Sequence, residues 1–284
     1  NLYFSLGQFV DALDMAKQAT RVFTQHGEYC CNDLLAWTYS ALGMPSEADY
    51  WMGLALENGQ VSVSTLDLTY NLLALRGPQT DLGQQLLELV NRPDIEEGLK
   101  GWPIAQLGLV NIYMGNYEAG ARQLDLGLRQ WQARMMKADI RDDIDVSALV
   151  ANQADVVDLM QKLAFAYRQL GRFEEADAIL AELSAAFDLE DNALHHALQG
   201  DPDAALEALR AMQENGIAKY QGPNSYYEIT HDPRWAETLE HPGFPELLAE
   251  MKEEVDRQRA NVEAIEAGHD FRAEIERLIG AEMH

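Results

Sequence analysis

The stretch Leu163-Ala164-Phe165-Ala166-Tyr167-Arg168-Gln169-Leu170-Gly171-Arg172-Phe173-Glu174-Glu175-Ala176 ends one apolar run at a glycine and opens another at a small residue five positions later. Upstream, Leu159, Met160, Leu163, Ala164 and Tyr167 recur at helical spacing, which predicts a helix with Ala164 as its close-contact residue. Gly171 is the expected stop, because glycine enters the left-handed conformation without steric cost. Phe173 is expected to plug the gap between the two helices. Glu174 and Glu175 suit the positive end of the next helix dipole. Ala176 permits tight packing there, with Leu180 and Leu183 turned back onto the first helix.

The same phrase recurs as Leu6-Gly7-Gln8-Phe9 with Ala12, Leu42-Gly43-Met44-Pro45 with Ala48, Met114-Gly115-Asn116-Tyr117 with Gly120, and Gln199-Gly200-Asp201-Pro202 with Ala205. Gly7 and Gly43 are 36 residues apart, and a further 34 residues lead to Gly77 in a blurred copy built on Leu66, Tyr70 and Leu73, with a second helix from Leu82 to Val90. Such a period means stacked supersecondary units, none able to bury its apolar face alone. Gly115 and Gly171 are 56 apart, so an insertion is expected around residues 131–152. It carries Asp142, Asp143 and Asp145 without the glycine turn and distal glutamate of a calcium loop, which predicts a solvated acidic loop. Asn1 to Leu6 is expected to be the second half of a first helix, so the first repeat is truncated and the chain is part of a longer polypeptide.

After Gly216 a Gly/Pro/Asn-rich link holds Tyr220, Tyr226 and Tyr227, and residues 215–245 are expected to be linker and short helix. A long helix is predicted from Pro245 to Ala267. Its seam of Leu248, Met251, Val255, Val262 and Ile265 is interrupted at Gln258 and Arg259. Gly268 stops it, and Phe271 to Met283 form a last amphipathic helix. Residues 246–284 are thus expected to seal the open end of the array. The rival expectation is a contact with a second copy of the chain.

Composition narrows the partners. The 284 residues are 47% hydrophobic and carry a formal net charge of -26. That charge repels phosphate backbones and acidic lipid, so no nucleic-acid partner is expected, and a basic or apolar protein segment is. No run of 18 apolar residues occurs, so no membrane span is predicted. The two cysteines, Cys30 and Cys31, are adjacent, are expected within one helix, and make a poor disulfide there. Low cysteine suits the cytoplasm and is compatible with a periplasm.

The pattern of Leu163-Ala164, Tyr167, Gly171-Arg172-Phe173 and Ala176, with Leu107-Gly108 and Gly115-Asn116-Tyr117, resembles the tetratricopeptide repeat. The resemblance covers residues 1–214 and implies an all-α superhelix of antiparallel helix pairs with long C-terminal capping helices. It also implies that the first helix of each unit lines a concave groove. Carried across, that groove is lined by Phe4, Trp37, Ser40, Asn71, Trp102, Leu109, Tyr113, Phe165, Arg168 and Leu194. Trp37, Leu109 and Phe165 fall outside the stripe facing the paired helix, and large apolar side chains so placed are natural anchors for a partner segment. The tail Asp232-Pro233-Arg234-Trp235, His241-Pro242-Gly243-Phe244, Leu247-Leu248 and Arg257-Gln258-Arg259 is similar to the end of repeat regions in large bacterial signalling proteins. Those proteins carry a winged-helix DNA-binding domain or a nucleotide cyclase domain at their N-terminus.

Catalysis is not expected. No Gly-rich phosphate loop, metal-ligand pair or nucleophile elbow occurs. His195 and His196 are adjacent and diverge on a helix, whereas a metal pair wants spacing of three or four. No cofactor and no metal are predicted. The expected function is a sensory or scaffold region that binds a partner segment in its groove, with self-association through the C-terminal helices as the alternative.

Overall fold

The computed structural model describes residues 8–26, 31–57, 88, 91, 97–136, 154–187, 189, 192–214 and 226–282. All regular structure among them is helical: α1 (Phe9–Thr24), α2 (Asn32–Ala41), α3 (Pro45–Glu57), α4 (Glu97–Tyr113), α5 (Tyr117–Met136), α6 (Ala154–Gln169), α7 (Phe173–Ala186), α8 (Ala193–Gln199), α9 (Pro202–Glu214), α10 (Tyr226–His231), α11 (Phe244–Glu266) and α12 (Phe271–Glu282), with 3-10 turns at Pro233–Trp235 and Thr238–Glu240. The blurred copy at Gly77, the acidic stretch at 142–145, Cys30 and the link at 215–225 lie outside the described residues.

The recurring phrase is a corner with one hydrogen-bond pattern. Gly43, Gly115, Gly171 and Gly200 all take positive φ, between 69° and 80°. At the third corner Gly171 N–H donates to Arg168 O at 3.0 Å, and Arg172 N–H reaches back to Tyr167 O at 2.9 Å. These two bonds satisfy carbonyls that a helix end leaves open. The carbonyl of Arg172 then accepts from Ala176 N–H at 3.1 Å, closing the first turn of α7. The residue after each glycine thus finishes one helix and starts the next. Met44, Asn116 and Asp201 repeat both bonds, to Tyr39 O and from Ala48 N–H, to Asn111 O and from Gly120 N–H, and to His196 O and from Ala205 N–H. Small residues follow because this position packs on the preceding helix: Ala48, Ala176 and Ala205 are fully buried. Pro45 and Pro202 stand at the first helical position, where a missing N–H costs nothing.

The described chain divides into two compact units. Among its described residues the second unit, residues 76–211 with 231–242, holds α4 to α8, most of α9, and a returning segment with the two 3-10 turns. Its tightest pair, α4 and α5, touches backbone to backbone: a Cβ on Gly101 would lie 2.8 Å from Gly127 O, and one on Gly120 would lie 2.9 Å from Gly108 O. Only glycine allows that approach. The core of this unit is formed by residues such as Leu109, Leu124, Leu128, Leu163 and Leu183.

The first unit, residues 1–75 with 212–230 and 243–284, joins the start of the chain to its end. Phe9, Leu13, Ala16, Leu35, Tyr39 and Trp51 share one core with Val255, Val262, Phe271 and Ile275. The C-terminal helices α11 and α12, expected to seal the open end of the array, pack in this unit against the core of α1–α3.

Three expectations are corrected. Phe173 is 59% exposed, whereas its counterpart Phe9 is fully buried. Phe9 gains its cover from its unit's returning helix α11, and among the described residues nothing equivalent lies over Phe173. Cys31 precedes its helix, at φ 66°, and is the non-glycine residue with positive φ among those described. Ile265 is 62% exposed, while Gln258, read as an interruption, is buried. The buried seam of α11 steps through Leu247, Met251, Val255, Gln258 and Val262. Four residues further it reaches Glu266, not Ile265 (helical spacing allows either).

Candidate protein-binding surface

In the second unit, Leu109 and Phe165 are buried. The Phe165 ring meets Tyr117 edge-on at 6.0 Å between centroids, so it packs the α5–α6 contact. Leu194 is also fully buried, on the short helix α8. Tyr113, at the end of α4, is half-buried. Arg168 is half-buried and donates to Asp177 Oδ1 across the α6–α7 corner at 2.7 Å. In the first unit, Ser40 is buried and Trp37 packs, partly buried, against the core. Trp102 lies on α4, while Phe4 and Asn71 lie outside the described residues. Tyr113, Arg168 and Trp37 thus keep accessible surface; Leu109, Phe165 and Leu194 serve packing.

The sequence missed a buried charge cluster in the second unit. Arg234 donates through Nε to Asp232 Oδ2 at 2.8 Å and through Nη1 to Asp158 Oδ1 at 2.9 Å. Lys162, buried one turn along α6, pairs with the same Asp158. Asp232 Oδ1 also accepts the Arg234 N–H at 2.9 Å, capping the Pro233–Trp235 turn. Burial alone raises the Asp158 carboxyl, but Lys162 and Arg234 outweigh it and hold the pKa below the usual range. Two acids and two bases neutralise one another here, so the cluster fastens Asp232-Pro233-Arg234-Trp235 to α6 and offers no charge to a ligand. The only cue in the sequence was a basic residue between proline and tryptophan.

The histidines tie helices together. Asn192 Oδ1 caps α8 by accepting His195 N–H at 2.9 Å. The buried His195 ring places Nε2 2.7 Å from Ser184 Oγ on α7. Ser184 also donates to Leu180 O at 3.0 Å. Burial, with a contribution from His196, pushes the His195 pKa down, so the ring is neutral at pH 7. Among the described residues no group of three His, Cys, Asp or Glu could hold a metal ion, and no helix is long and apolar enough to cross a membrane.

The first unit is closed by polar contacts between distant parts of the sequence. Gln258 Oε1 accepts the Phe9 N–H at 3.0 Å, doing the work of an N-cap for α1. Arg21 makes a bidentate pair with Glu274, at 2.6 and 2.9 Å. That pair, with help from His269, lowers the Glu274 pKa to about 2. Glu266 accepts from Tyr39 Oη at 2.5 Å and pairs with Lys17. Burial first, then the bond to Glu266, pushes the Tyr39 phenol far up.

Hairpins joined by left-handed glycine corners, with a small buried residue opening each second helix, define a helical-repeat protein. The tetratricopeptide repeat family model matches residues 162–182 and 190–211, and the chain carries tetratricopeptide repeats there. Each match contains one of the corners, Gly171 or Gly200. Neither a curated protein nor a solved structure matches the chain. Tetratricopeptide repeats in general mediate protein–protein interaction.

Proposed function

We infer that this chain is a non-catalytic interaction module that binds a segment of a partner protein on its repeat helices. The observation that carries this reading is the match to tetratricopeptide repeats at two successive hairpins whose corners recur elsewhere in the chain. Tyr113 and Arg168, both in the second unit, are its contact residues, since they keep accessible surface on first helices of that unit's hairpins. With a net charge of -26 the partner segment is basic or apolar. The tail's similarity to repeat regions of bacterial signalling proteins supports a sensory or scaffold role within a regulatory protein of that class. Self-association through the C-terminal helices is the weaker reading, because Val255, Val262, Phe271 and Ile275 are spent in the chain's own core.

Selection of a displayed peptide library against the full chain tests the proposal. Selected peptides should be rich in Lys, Arg or apolar residues. Tyr113→Ala combined with Arg168→Ala should weaken them about tenfold or more with helical circular dichroism unchanged. A library yielding no binder, or equal affinity for the double variant, rejects it.

A further inference from the structure

We propose that the bare edge of the second unit at its Gly171 corner is a docking seat for a basic amphipathic helix of a partner protein, with Phe173 as the apolar anchor. Phe9, Tyr117 and Phe173 each stand two positions past a corner glycine and each start a helix. For the first two, another helix supplies cover. Phe9 is fully buried in a core shared with Val255 and Val262 of α11. Tyr117 meets the Phe165 ring of α6 edge-on. Phe173 is 59% exposed, and Leu170, on the other side of the same corner, is 37% exposed. Leu42, the counterpart of Leu170 in the first unit, is fully buried. Its corner glycine, Gly43, lies under Tyr227, whose Oη would stand 2.2 Å from an added Cβ, whereas a Cβ on Gly171 would meet nothing within 4 Å.

What fills the equivalent seat in the first unit points to the occupant. Gln8 and Arg172, the residues before the two phenylalanines, share one backbone conformation, φ -90° with ψ 68° and φ -89° with ψ 59°, and neither caps its helix with its own side chain. The Phe9 N–H goes instead to Gln258 Oε1 at 3.0 Å, from the buried seam of α11. Among the described residues the Phe173 N–H has no acceptor. An amphipathic helix with a glutamine between two apolar seam residues therefore matches both the ring and the N–H. Charge sets the rest. α7 carries Glu174, Glu175, Asp177 and Glu182 and no base. The two arginines at the corner are committed: Arg172 lies 3.9 Å from the Tyr167 ring centroid and makes a bidentate pair with Glu175, and Arg168 donates to Asp177 at 2.7 Å. Glu174 and Glu182 are exposed and make no hydrogen bond or ion pair among the described residues. Lysine or arginine flanking the seam of the incoming helix complements them.

Calorimetric titration of the full chain with an end-blocked synthetic helix tests the seat. The probe is the segment 244–266 carrying Glu250→Lys, Glu253→Lys and Glu263→Lys, exchanges at exposed positions that leave the apolar seam and Gln258 in place. Saturable binding is expected. Phe173→Ser in the protein should weaken it about tenfold or more with helical circular dichroism unchanged, since the ring lies at the surface, and Phe173→Leu should weaken it less. Gln258→Leu in the probe should also weaken it, because leucine offers no acceptor to the Phe173 N–H. Failure to saturate, unchanged affinity in Phe173→Ser, or equal binding of a scrambled peptide of the same composition overturns the proposal. Equal binding of the unmodified acidic segment also overturns it and assigns the seat to a second copy of the chain. Neither Tyr113 nor Arg168 is part of the seat, so the Tyr113→Ala, Arg168→Ala protein should still bind the probe, and loss of library peptides there is distinct from failure at Phe173.

Discussion

The two units are closed by different means. In the second, neighbours in sequence do most of the work: α4 packs on α5 through facing glycines, and α6 on α7 through an alanine just past a glycine corner. In the first, the decisive contacts join residues some 250 positions apart, such as Phe9 with Gln258 and Arg21 with Glu274. A repeat hairpin therefore needs cover on its outer side, and the source of that cover differs. Phe9 receives it from α11 and is buried; Phe173 receives none among the described residues and stands in solvent. The same sequence position becomes core or surface according to what returns to it.

Removing residues 243–284 puts this contrast to its hardest test. The first unit should lose its cooperative thermal transition, because the core around Phe9, Leu13 and Trp51 loses one wall, while the second keeps its own. Differential scanning calorimetry with hydrogen exchange reads this, and protection of α1–α3 that survives the deletion would break the distinction. Next in size is Arg234→Ala in the second unit. It leaves Asp232 buried without its partner and should cost about 3–5 kcal/mol in urea denaturation. A loss under about 1 kcal/mol would mean that the charge cluster does not fasten the returning segment.

Gly127→Ala should cost about 1–3 kcal/mol, since its methyl group would meet Gly101 O at 2.6 Å and the helices must part. Gln258→Ala strands the Phe9 N–H and should cost about 1–2 kcal/mol, felt in the first unit alone. The smallest effect concerns acid. The Glu274 pKa is depressed to about 2, so its stabilising pair with Arg21 is fully present above the ordinary carboxylate pKa and is lost as pH falls from about 4.5 toward 2. Glu274→Gln should flatten the stability of the first unit over that window. An unchanged acid slope would remove Glu274 from the account of how the ends are joined.

Much of this was legible beforehand. Gly43, Gly115, Gly171 and Gly200 marked corners because a left-handed residue is a local requirement, and the long helix expected from Pro245 to Ala267 is found from Phe244 to Glu266. The candidate binding residues were less legible. Leu109 and Phe165 lie off the stripe facing the paired helix, yet Phe165 packs on Tyr117 and both are buried, since neighbouring hairpins cover a second face. Gln258 looked like a flaw in an apolar seam because its partner, the N–H of Phe9, is a backbone group that no side-chain pattern announces.

By itself the sequence determined the hairpins: where helices stop, which residue turns left-handed, and which small side chain lets the next helix approach. Those are matters of backbone sterics and spacing within some twenty residues. Tertiary structure alone decided that the chain's end builds into its beginning, which aromatic is core and which is surface, and which charges are spent on each other. Such outcomes depend on surfaces brought together from remote parts of the chain, where an apolar seam fits many faces and only the realised packing selects one.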